Sequence, residues 1–265
     1  MPRIVKKVFL RWVSFMKSVI KAIRLLVRLC LLFSACVAYL AQLPALMLGC
    51  KRFAARMSSV FCRQLLKSLG VEVRVESDFV WFRPSRGFVH IYNHENPLDV
   101  FVIQGYLRLP SITTAGSHLG RILPFFERCA RNAGHILLDH MDPASRRLSF
   151  SRSFEAMATN GQMIIAPNGS LVTSIYQRAS RSPQALASKF STSIAPWVFV
   201  YSNLEISEKD LYNPALILLK RLTAPVSKIT CTLWEKDLKA IPVDLPKEKF
   251  EPVVINFYSS RKGRY

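Results

Sequence analysis

"YNHENPLD", residues 92–99, joins two unlike stretches of chain. Ahead of it, "GFVHIYNH" is apolar and β-branched and reads as a strand ending at His94. Behind it, "PLDVFVIQGYLR" reads as a helix with Asn96 as its cap and Pro97 as its first residue. A strand, a tight turn and a helix form the unit from which α/β domains are built. The turn sets His94 five residues before Asp99. A neutral imidazole can take a proton from an alcohol when a carboxylate holds its other ring nitrogen. Asp99, in the first helical turn, would feel the helix N-terminus and stay ionised. A plainer reading fits the same residues: Asp99 as a first-turn helix carboxylate and His94 as a polar strand end. With five histidines and seven aspartates in 265 residues, one such spacing arises readily by chance.

The surrounding chain repeats the alternation. "VEVRVE" from Val71 switches between apolar and charged residues, the pattern of a half-buried strand. "SITTAG", "HILLD" and "MIIAP" read as short strands, and "SIAPWVFVYS" and "KITCTLWE" as later ones. Between them, "FFERCARNAG" reads as a helix closed by Gly134, and "SRRLSFSRSFEAMATNG" as a helix ending at Gly161. The expected fold is α/β, with a mainly parallel central sheet flanked by helices. His94, Asp139 and the "PNGS" turn after Ala166 all fall at expected strand ends, where open α/β sheets gather reactive groups.

The first 65 residues differ from the rest. Thirteen basic residues precede the first acidic one, Glu72. From Arg3 to Arg28 the basic residues recur at steps of mostly three or four, opposite Phe9, Trp12, Phe15, Ile20 and Ile23. A basic face opposite an aromatic and aliphatic one suits a helix lying in a membrane surface. Residues 29–50 carry no charge and are long enough to span a bilayer core. Basic residues flank that run on both sides, and Pro44 lies inside it. A hairpin dipping into one leaflet accounts for both flanks, and a single span also fits the run's length. The expected division is therefore 1–65, membrane-associated helices in a hairpin, and 66–265, an α/β domain.

The formal net charge is +20, from 37 Lys+Arg against 17 Asp+Glu. That field favours anionic partners. The basic residues crowd beside apolar stretches, and no zinc spacing or RNA-binding aromatic motif occurs, so nucleic acid is not an expected partner. None of the six cysteines has metal-ligand spacing, so no metal is expected and the thiols read as reduced. No small-residue cleavage site follows a short charged region, which argues against a cleaved secretory signal.

Four segments together resemble the glycerolipid acyltransferases, the lysophosphatidic acid acyltransferase superfamily. "NHENPLD" resembles its first motif, Asn-His, four residues, Asp. "HLGRILPFFERCARNAGHILLDH" resembles the family's segment ending Gly-x-Ile-Phe-Ile-Asp-Arg, with His140 in place of the arginine. "IIAPNGSL" resembles Phe-Pro-Glu-Gly-Thr-Arg, with Asn168 and Leu171 replacing the glutamate and arginine. "SIAPWVFVY" resembles the Ile-Val-Pro strand through Pro196. The four come in the family's order across residues 88–200.

The resemblance implies acyl transfer and a membrane-embedded N-terminal helix pair. It makes His94 the general base on a lysolipid hydroxyl, with Asp99 holding the ring. Asn93, Asp139, His140, Asn168, Gly169, Ser170 and Pro196 would shape substrate binding. The acyl donor would be acyl-CoA or acyl-carrier protein, with no metal or other bound cofactor. The site would face the cytoplasm from a membrane, a bacterial inner membrane fitting best. Leu171 cannot bind phosphate, so the acceptor is either lysophosphatidate, with Arg178, Arg181 or Lys189 compensating, or another lysophospholipid or lyso-aminolipid. The changed third motif also fits a catalytically weak, membrane-binding relative.

Overall fold

The computed structural model describes residues 3–77, 87–107, 112–116, 125–138, 142–167, 179–204 and 220–261. Helix α1 (Arg3–Met47) runs unbroken through Pro44 and is long and apolar enough over Trp12–Met47 to cross a membrane. Pro44 lies in the last turn, where its missing N–H deprives one carbonyl of its intrahelical partner, and the chain reverses after it rather than at it. The reversal comes at Gly49, whose φ of +72° suits a residue without Cβ, and Cys50 N–H bonds back to Ala45 O at 2.8 Å. Helix α2 (Lys51–Ser68) then returns along α1. The hairpin expected within residues 29–50 is thus built from two separate helices. Ala35 and Ala38 permit close approach, and the Tyr39 and Phe61 rings meet with centroids 5.0 Å apart. The other face of α2 packs on the α/β body, with Leu66 inside that body's core.

Among the described residues, seven strands form one sheet: β1 (Val71–Ser77), β2 (Phe88–Tyr92), β3 (Ile112–Gly116), β4 (His135–Leu138), β5 (Gln162–Ile165), β6 (Ser193–Ser202) and β7 (Ser227–Leu233). Their order is β1-β7-β6-β2-β5-β3-β4. All pairings are parallel except β6 with β7. The expected α/β class with a mainly parallel, helix-flanked sheet is the one observed. β2 lies between β5 and β6, and every residue of its "FVHIY" is buried. Side chains alternate between two cores with the period of two that strands impose. Val89, Ile91, Met163, Ile165, Ile194 and Val198 face one core, and Phe88, Tyr92, Ile164, Trp197 and Phe199 face the other. Full burial of an aliphatic or phenylalanine side chain contributes about 1.5–3 kcal/mol.

Helix α3 (Asp99–Val102) continues as a π-helical turn, Ile103–Leu107, and packs with α2 on the second core. α4 (Phe126–Asn132) leads into β4. α5 (Pro143–Asn160) is capped by Asp142, whose carboxylate accepts from Ala144 N and Ser145 N at 2.9 and 3.1 Å. It begins two residues before the expected start, because Asp142 is the cap and Pro143 the first helical position. α6 (Ser182–Lys189) packs on β2 and β6, and α7 (Lys247–Ser259) places Phe250, Val254 and Phe257 in the first core. Sequence reading had not marked α6 or α7. Pro183, in the first turn of α6, is the local signal for that helix, while Pro252 inside α7 masks its periodicity.

Candidate active site

The strand expected to end at His94 ends at Tyr92, so His94 stands two residues beyond the sheet, in the turn at β2's carboxyl end. The turn is held by its own polar groups. Asn93 extends the ladder with its side chain: its Nδ2 donates to Phe199 O at 2.8 Å, and Phe199 N–H donates to its Oδ1 at 2.7 Å. That amide copies the pair of bonds a backbone would make, continuing the β2–β6 register past Tyr92↔Trp197. Asn96 Oδ1 accepts from Leu98 N–H at 3.0 Å, and Asp99 N–H donates to Asn96 O at 3.1 Å. Pro97 and Leu98 form the turn itself, and the helix proper starts at Asp99 rather than at Pro97.

The result is a contact between residues five apart. His94 Nδ1 lies 3.0 Å from Asp99 Oδ2. Asp99 is wholly buried, while the His94 side chain keeps 18% of its exposure. The Asp99 carboxylate has two further donors: Asn96 N–H at 3.2 Å on Oδ2, and Tyr201 O–H at 2.8 Å on Oδ1. The Tyr92 ring packs against His94 at 5.5 Å and against Phe199 at 5.3 Å.

Burial raises the Asp99 pKa, and the bonds from His94, Tyr201 and the Asn96 N–H pull against that rise. To the helix-terminus account of its charge the structure adds burial and three donors. Desolvation raises its pKa, and three hydrogen-bonding partners oppose that rise. Burial, then the Asp99 charge, raises the Tyr201 pKa well above that of a free phenol, so Tyr201 stays a donor. With a carboxylate on Nδ1, the ring carries its proton there and presents the Nε2 lone pair, the form a general base requires.

Of the other expected site residues, Pro196 is buried in β6 opposite Ile91. It sits before the β7 ladder begins at Val198, where a strand residue without N–H is tolerated. Asp139, His140, Asn168, Gly169, Ser170, Leu171 and Arg178 lie outside the described residues. Ile165 pairs with Ile91, so β5 delivers the chain to Pro167 at the sheet end that holds His94. Ser180 N–H returns to Pro167 O at 2.6 Å. Arg181 and Lys189 are solvent-exposed at the two ends of α6. Tyr201 was missed by sequence reading: it sits 102 positions from Asp99, and one tyrosine in an apolar strand carries no local signal. Among the described residues, no three His, Cys, Asp or Glu side chains form a group that could hold a metal ion.

Residues 73–200 match a protein-family model described as Acyltransferase. That segment contains His94 and Asp99 and stops one residue short of Tyr201. The structure resembles that of the 1-acyl-sn-glycerophosphate (LPA) acyltransferase, PlsC, from Thermotoga maritima, with a TM-score of 0.56 and 14% sequence identity. The alignment covers 94% of this chain and 99% of that one. At that identity the likeness establishes the fold. No curated protein matches the sequence.

Proposed function

We propose that this chain, whose residues 73–200 match the Acyltransferase family model, is an acyltransferase of the glycerolipid type that moves a fatty acyl group from acyl-CoA or acyl-carrier protein to the hydroxyl of a lysolipid at a membrane surface. The observation that carries this reading is the 3.0 Å contact between His94 Nδ1 and Asp99 Oδ2 at the carboxyl end of β2, inside the matched segment. In the proposed step, His94 Nε2 takes the acceptor hydroxyl's proton as its oxygen attacks the thioester carbonyl. The tetrahedral adduct then expels the thiolate, which receives that proton from the imidazolium. Asp99 holds the ring in one tautomer and balances its transient charge. No covalent acyl-enzyme and no metal enter this scheme. Asp139, His140, Asn168, Gly169, Ser170 and Pro196 remain proposed parts of the substrate surface, on the strength of the motif resemblance. Asn93 supports the site from behind, because both ends of its amide are taken by Phe199.

The membrane reading draws on the packing of α1. Its inner face lies on α2, and α2's far face lies on the α/β body. Where α1 lies on α2, its outer face stays open, with Phe33, Val37, Leu40 and Met47 exposed for lipid. That supports a helix pair sunk into one leaflet, with the site facing the cytoplasm, where acyl thioesters are available. The alternative, a membrane-binding relative with little turnover, has the replaced residues Asn168 and Leu171 in its favour. The test is thiol release by the purified protein given acyl-CoA and a lysolipid. Release from the wild type and none from His94→Ala supports acyl transfer, and no release with any donor or acceptor supports the alternative.

A further inference from the structure

Helix α1 meets the folded body at Arg28. None of residues 12–27 is buried, whereas Arg28 is only 3% exposed. Its Nη1 donates to the carbonyls of Arg221, Leu222 and Ala224 at 2.9, 2.8 and 2.7 Å. Its Nη2 meets no acceptor among the described residues. That nitrogen lies against Gly70, where a Cβ would come within 1.9 Å of it. Arg221, itself buried, donates to Leu69 O and Ser227 Oγ. Two guanidinium groups are thus packed together on carbonyls, and among the described residues no carboxylate pairs with either. A buried charge without a counter-charge is costly, and its field reaches through the low-dielectric protein to the nearest open space.

That space is a groove of about 530 Å³. Arg24 and Lys67, both exposed, stand on its rim, and Arg28 lies in its wall. Val27 and Leu31, one turn apart on α1, give it an apolar side, and Val226 also lines it. Glu72 is the single carboxylate among the lining residues, set against three cations. Arg24 and Arg28 are the last charges before the uncharged run, so the groove opens where head groups would meet α1. Basic groups beside an apolar wall fit an amphiphile bearing phosphate, rather than a soluble anion or a neutral chain. We propose that this groove binds one anionic phospholipid, its phosphate facing Arg24, Arg28 and Lys67 and an acyl chain lying along Val27 and Leu31. The site stands apart from the acyl-transfer reading, since His94, Asp99 and Tyr201 do not line it.

The full-length protein, purified in neutral detergent, is mixed with phosphatidylglycerol or phosphatidylcholine micelles, and bound lipid is counted by native mass spectrometry. One phosphatidylglycerol retained per chain, about tenfold more tightly than phosphatidylcholine, is the expected result. The double variant Arg24→Gln/Lys67→Gln should lose that preference. Val226→Trp fills the groove without changing charge and should weaken retention to a similar degree, with circular dichroism verifying the fold of each. Equal retention of both lipids overturns the proposal. Loss with the charge variant but not with Val226→Trp reduces the effect to surface attraction and also overturns it. Displacement by millimolar inorganic phosphate would overturn it in favour of a site for free phosphate.

Discussion

Tyr201 donates its phenolic proton to Asp99 Oδ1 at 2.8 Å, joining the first turn of α3 to the far end of β6. The carboxylate that orients His94 through Oδ2 is thereby held on its other oxygen by a strand 102 residues away. The His94–Asp99 pair is therefore a triad in its geometry, with Tyr201 as the positioning residue.

Tyr201→Phe removes that donor while keeping the ring. A hydrogen bond to a charged acceptor is worth about 1.5–3 kcal/mol. Without it the Asp99 carboxyl binds its proton more tightly, because the bond from Tyr201 lowers its pKa. The acidic limb of kcat/KM is expected to move to higher pH, with KM for either substrate little changed. An unaltered pH profile would remove Tyr201 from the positioning of the base.

His94→Ala is expected to lower kcat by about two to four orders of magnitude while the circular dichroism spectrum stays native. His94 lies beyond the strand and keeps part of its surface exposed, so its loss opens no core cavity. Near-native turnover in the purified variant would refute the proposed mechanism.

Burial raises the Asp99 pKa above its unfolded value of about 3.9. Between the two values the folded chain holds the proton and the unfolded chain does not. The contribution to stability is full below the unfolded value and is lost as pH rises through the folded one. Asp99→Asn has no such titration. The melting temperature of the wild type should therefore fall relative to this variant as pH rises from the unfolded value of about 3.9 through the raised folded one. Acyl transfer by Asp99→Asn should be severely impaired at every pH. A melting difference independent of pH would contradict the raised pKa.

If α1 and α2 enter one leaflet and return, cysteines placed at Ser18 and Arg52, both exposed, are shielded from a reagent applied to the outside of cells. The background needs Cys30, Cys36 and Cys50 replaced, since these too are exposed. Labelling at one position alone would show α1 to be a true span.

With Leu171 where the family has a phosphate-binding arginine, the expected acceptor is a lysolipid other than lysophosphatidate, bound through neutral groups such as Asn168 and Ser170. A lost contact to phosphate corresponds to roughly ten- to hundredfold in affinity. An acceptor panel at one acyl donor measures this. Highest kcat/KM for lysophosphatidate, abolished by Arg178→Ala or Arg181→Ala, would show that a basic residue elsewhere restores the phosphate site.

Features set by neighbours a few positions apart were legible in the sequence alone. The alternation of Val71–Glu76, the Gly134 and Gly161 helix ends, the uncharged run from Leu29 and the His94–Asp99 spacing are of that kind. Each depends on local backbone preference or on one face of one element, which a short window contains. The tertiary structure decided what depends on distant segments meeting. It reversed β7 against β6, carried α1 on through Pro44 with α2 packed against it, and closed Asn93 on Phe199. It also set the charge of Asp99 between desolvation and its hydrogen-bond donors, Tyr201 among them. Burial and a hydrogen bond across 102 residues exist only once the sheet has formed, so no local pattern around residues 92–99 could encode them.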